Sequence, residues 1–115
     1  MLEWWKTLWA TAKPEKAYLN GFDLEKSEIG RVYYIIGHYI KKIERNCEIE
    51  QIKIRLKKSV HGKAFLHEIK CIAETKQGIL NAIETDYNIF KALARCLEKI
   101  WHESEHKSRT NRQIR

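Results

Sequence analysis

Three observations predict an α+β fold of order β-α-β-β-β-α, with two helices on one face of a three- or four-stranded sheet and a short helix in front. Residues 52–57 alternate apolar and basic without a break. Two more strand-like runs follow at hairpin spacing. Stripes of apolar residues at helical period stand on either side of this block.

The elements are justified in order. Residues 1–12 read as a helix because Leu2, Trp5 and Trp9 share a face, widened by Trp4 and Leu8. Pro14 ends it. A short strand is expected around Ala17, Tyr18 and Leu19, with Asn20-Gly21 as its turn signal. Ser27 and Glu28 offer a helix start. Ile29, Val32, Ile36, Tyr39, Ile40 and Ile43 form the stripe of that helix, and Asn46 is its stop.

The next strand spans 50–58. Its Ile52, Ile54 and Leu56 face a core, while Lys53, Arg55 and Lys57 face outward. Val60-His61-Gly62-Lys63 reads as a hairpin connection into a strand over 64–74. There Phe65, Ile69, Cys71 and Ala73 share a face, with His67 as a satisfied, partly buried member of that series. Thr75-Lys76-Gln77-Gly78 turns into a third strand over 79–85. Asp86 or Asn88 caps a helix reaching about residue 106, with Phe90, Leu93, Leu97 and Ile100 as its stripe. Residues 108–115 are basic and lack periodicity, so they read as a tail. The organisation is thus 1–15 as a Trp-rich helix, 16–107 as the domain and 108–115 as the tail.

Charge narrows the function. The chain carries 22 Lys+Arg against 15 Asp+Glu. Residues 51–85 hold seven bases and three acids, and 86–115 hold seven and four, whereas 21–50 are slightly acidic. A basic second half points to a polyanionic partner; the plainer reading is a Lys-rich solvated surface.

Several chemistries are excluded on spacing. Cys47, Cys71 and Cys96 are odd in number and far apart, which fits reduced thiols in the cytoplasm and no disulfide framework. No apolar run is long enough for a membrane span, and the N-terminus has no cleavage signal. No glycine loop for phosphates is present, and nothing marks a nucleophile with its base. His102-Glu103-Ser104-Glu105-His106 matches H-E-x-x-H, but a catalytic zinc needs a third protein ligand, and no His, Cys, Asp or Glu follows His106. A solvated helix end is the better reading. The expectation is a protein with no enzymatic activity, no metal and no cofactor.

With the elements in place, the block from Gly78 onward resembles the ribosome hibernation-promoting factor family, also called ribosome-associated inhibitor or sigma-54 modulation proteins, in its short form. Gly78 sits at that family's turn glycine and Ala82 at its small strand position. Asn88-Ile89-Phe90-Lys91-Ala92-Leu93 falls on Asp-Met-Tyr-x-Ala-Ile, and Lys99-Ile100 on Lys-Leu, without a gap. Upstream, Ile40-Lys41-Lys42-Ile43-Glu44 is similar to Leu-x-Lys-Leu-Glu. The likeness covers about residues 16–109. It departs at Asn88, in the two acids of the 101–107 segment, and in the added tryptophan segment.

The resemblance implies a βαβββα domain that binds the small ribosomal subunit in the channel for messenger and transfer RNA, blocking translation during dormancy and stress. It implies a cytoplasmic monomer whose partners are ribosomal RNA and adjacent ribosomal proteins, with no membrane partner. The implied RNA-contacting residues are Lys41, Lys42, Arg45, Lys53, Arg55, Lys57, Lys58, Lys63, Lys70, Lys99, His102, His106, Lys107, Arg109 and Arg112. Trp4, Trp5 and Trp9 are the candidates for a protein partner. Two alternatives stand beside this: a double-stranded-RNA-binding-type domain, and an interaction module acting through the tryptophan helix. The first needs a basic cluster at the start of the last helix, where Asp86-Tyr87-Asn88 stands.

Overall fold

The apolar half of each alternating run lands on one side of a sheet. Ile52 and Ile54 on one strand, and Ile69, Cys71 and Ala73 on the next, are at most 1% exposed, whereas Lys53, Arg55, Lys57 and Lys70 are exposed. The computed structural model describes residues 12–114, with side chains through residue 108. The elements are β1 (Ala17–Asn20), α1 (Lys26–Ile43), β2 (Ile49–His61), β3 (Ala64–Thr75), β4 (Gly78–Asp86) and α2 (Ile89–Ile114).

The four strands form one sheet in the order β1-β2-β3-β4. The pairing of β1 with β2 is parallel, because α1 crosses between them; the two hairpins that follow are antiparallel. Both helices cover the same face. Val32, Ile36 and Ile43 of α1 meet Leu93, Leu97 and Ile100 of α2 over the inner residues of the sheet in a single cluster. Each such side chain taken from water contributes about 2 kcal/mol. Nothing covers the outer face among the described residues.

Local chemistry sets the boundaries. Helix α1 starts at Lys26, before the expected Ser27, because Glu25 caps it. Glu28 reaches back to accept a hydrogen bond from the Glu25 N–H at 3.4 Å. Asn88 caps α2: its Oδ1 accepts from the N–H groups of Phe90 (2.9 Å) and Lys91 (3.2 Å). Replacing Asn88 with Ala should cost about 1 kcal/mol of unfolding free energy. An unchanged denaturant midpoint would remove the capping role.

Four expectations are corrected. The β2–β3 hairpin is longer than predicted, with strands of 13 and 12 residues. Phe65 does lie in the series of Ile69, Cys71 and Ala73, but it is 55% exposed because the helices do not reach it. His67 is partly buried, yet its Nδ1 has no hydrogen-bond partner among the described residues, so it is not satisfied as expected. Finally, α2 does not stop near residue 106. The segment expected as a tail is helical through Ile114, since a helix past the edge of its core no longer needs an apolar stripe to propagate. The expected N-terminal helix with Trp4, Trp5 and Trp9 lies outside the described residues.

Candidate nucleic-acid interface

Strand register sets the outer sheet face row by row. One row runs Tyr18, Lys53, Ile72, Asn81 from β1 to β4. The next runs Asn20, Arg55, Lys70, Ile83, and the third runs Lys57, Glu68, Thr85. Arg55 and Lys70 are thus direct cross-strand partners of like charge, an arrangement that disfavours the folded state by itself. Neither side chain makes an ion pair among the described residues. Lys57 faces Glu68 without closing a salt bridge. Lys53 has only a long contact, 4.0 Å to Glu74, whose carboxylate also accepts from Gln51. Lys63 follows at the hairpin turn, and Lys58, paired with His67, projects from the opposite face of the same ribbon; both are exposed and without an ion pair among the described residues.

The helix layer is different. Here most of the bases are already engaged. Lys99 pairs with Glu84 at 3.1 Å, and Arg95 pairs with Asp86. Lys42 lies over the Trp101 ring at 4.4 Å from its centroid and over Tyr39 at 5.4 Å. Lys107 is half-buried, with its amine packed against the β3–β4 turn at Gly78. Lys41 and Arg45 are exposed at the end of α1 and carry no ion pair among the described residues. His106 is exposed; the side chains of Arg109 and Arg112 lie outside the described residues.

The fifteen candidates therefore do not form one patch. Arg55, Lys57 and Lys70 stand together on the outer sheet face with Lys53 beside them and Lys63 at the hairpin turn, Lys58 projects from the other face of the hairpin, and Lys41 and Arg45 sit on the helix layer. Tyr18, Ile72, Asn81 and Ile83 share the sheet face with the bases and were missed from sequence, since only the registers of β1 on β2 and of β3 on its two neighbours place them there.

Charged neighbours shift two groups along α2, Asp86 just before its start and His102 at its middle. The Asn88 N–H and then the Arg95 and Lys91 charges hold the Asp86 carboxyl below its ordinary value. In the middle of the helix, hydrogen bonds to Glu105 (3.1 Å) and Glu98 (3.4 Å) raise His102 above the ordinary imidazole value of 6.5. The stabilisation from His102 is therefore complete below about pH 6.5 and fades as pH rises through the raised folded value. A His102→Gln variant should fall below the wild type in thermal midpoint at pH 5.5 and match it at pH 9. A gap equal at both pH values would count against this pairing.

Catalytic arrangements find little support. Among the described residues, no three His, Cys, Asp or Glu side chains converge as a metal site. His102 of the H-E-x-x-H run is committed to two glutamates. The three thiols are buried, and the Cys96 hydrogen bond together with burial pushes Cys71 well above the ordinary thiol value. No helix among the described residues is long and apolar enough to cross a membrane.

No family model and no curated protein matches the chain. Its fold is shared with solved structures. The Protein Y N-terminal domain of Thermus thermophilus superposes with a TM-score of 0.51 at 16% identity, over 83% of this chain and 98% of that one. A ribosomal subunit interface protein of Coxiella burnetii superposes with a TM-score of 0.53 at 15% identity, over 78% of this chain and 93% of that one. At this identity the likeness shows the α+β fold, with its four-stranded mixed sheet and two helices.

Proposed function

We propose that this chain is a short-form ribosome hibernation factor. It would bind the small ribosomal subunit in the channel for messenger and transfer RNA, and block translation in the cytoplasm during dormancy and stress. The observation that carries this reading is the near-complete coverage of the Coxiella burnetii ribosomal subunit interface protein, 93% of its length, by a chain whose bases are left uncompensated on an open sheet.

The mechanism is occupancy without a reaction. Arg55, Lys57 and Lys70 supply one wall of phosphate contacts, with Lys53 next to them and Lys63 and Lys58 on the hairpin beyond. Lys41 and Arg45 supply contacts on the other layer, with Lys42 held in place by Trp101. Such contacts give affinity that does not read sequence and that falls with salt. Because Lys99, His102 and Lys107 already have partners in the fold, they contribute less than the open bases. The double-stranded-RNA alternative is disfavoured by Asp86, which stays ionised at the start of α2, where such a domain needs positive charge.

The test is co-sedimentation of the full chain with purified small subunits across a salt series, together with cell-free translation. Binding at low salt, loss at high salt and inhibition of translation are expected. No association at low salt would sink the proposal.

A further inference from the structure

The β2–β3 hairpin projects past the rest of the sheet. Pairing of β1 with β2 ends at Asn20 and Arg55, and pairing of β3 with β4 ends at His67 and Asp86. Beyond those points the two strands pair only with each other: Ser59 with Leu66, Val60 with Phe65 and His61 with Ala64. Residues 57–65 are all exposed. The free part of β2 spans about three residues, Ser59 to His61, roughly 10 Å.

Two features of this ribbon call for a partner. Residues 57–67 contain three lysines, two histidines and no acid. At the tip, Val60 and Phe65 are direct cross-strand partners on one face, 69% and 55% exposed. A two-stranded ribbon outside its sheet is marginally stable. An aromatic and a β-branched residue left in water at its end add little to the fold, so their use lies elsewhere. The charge favours a nucleic acid over a protein surface of mixed sign. Unpaired bases in RNA loops stack on exposed aromatic side chains, and lysines beside such a side chain meet the adjoining phosphates.

We propose that the β2–β3 ribbon is an RNA-penetrating arm: Lys57, Lys58 and Lys63 take phosphates while the Val60–Phe65 pair lies against an unpaired base. This rests on the ribosomal RNA reading above and adds to it an apolar contact that ordinary phosphate binding does not require.

The experiment places benzoylphenylalanine at Phe65 in the full chain, binds it to small subunits and irradiates. Alongside, Phe65→Ala and Val60→Ala are titrated across salt. The expected results are a crosslink from position 65 to RNA, and about a tenfold weaker affinity for Phe65→Ala with an unchanged salt slope, because the lost contact releases no counterions. Crosslinks to protein alone overturn the arm, as does wild-type affinity in both variants, while the unmodified chain still co-sediments. If the unmodified chain fails to co-sediment at low salt, the ribosomal reading fails first and the arm with it.

Discussion

Replacing Arg55 and Lys70 together with alanine is expected to weaken binding to small subunits by on the order of 100-fold at moderate salt, and to lower the salt slope by about two units. The two side chains sit opposite each other in the middle of the outer sheet face, and neither has an acid to pair with. In the free protein they repel, and a phosphate between them would relieve that repulsion. The same substitution should therefore leave thermal stability equal or slightly higher. Lys99→Ala serves as the contrast, because Lys99 is held by Glu84 and its loss should change affinity much less. A titration in which Lys99→Ala is the more damaging change would move the contact from the sheet to the helix layer.

Gly21→Ala should be among the most destabilising single changes outside the core, costing about 3 kcal/mol or more. Gly21 follows β1 with φ of +86°, a backbone conformation that L residues rarely adopt. An added Cβ would also lie 2.2 Å from the carbonyl oxygen of Leu56, in the middle of β2. That obstacle is backbone in a strand bonded on one side to β3, so it cannot swing aside. Gly62→Ala isolates the two costs: φ there is +65°, but nothing lies near the new methyl group. It should lose only about 1 kcal/mol. Equal denaturation midpoints for the two variants would refute the clash.

Much of this was legible in the sequence. The alternation over 52–57 sets which side chains point inward, and those residues sit as it requires. The stripes Val32-Ile36-Ile40-Ile43 and Leu93-Leu97-Ile100 became the two helix faces of the core. Asn88 was readable as a cap because a short polar acceptor just before an apolar stripe has few other uses.

Other features left no local trace. Phe65 belongs to the same alternation as Ile69, and only the reach of the helices decides that one is in water and the other at 0% exposure. The end of α2 was misread because periodicity reports burial, and the last turns of that helix lie beyond the core. Among the candidate bases, sequence could not separate open from engaged ones. Lys99 and Lys70 look alike in the chain, but Glu84 meets the first from 15 residues away and no acid meets the second.

The sequence by itself determined the order of elements, the inner and outer face of each strand, and the basic sign of the second half, because period, side-chain volume and charge are local properties. Only the tertiary structure decided that Arg55 faces Lys70, that Tyr18 and Ile83 join them on one surface, and that Val60 and Phe65 end a projecting ribbon. Those depend on the register between strands and on how far each helix extends over the sheet, and register is a property of pairs of segments that no single stretch of chain contains.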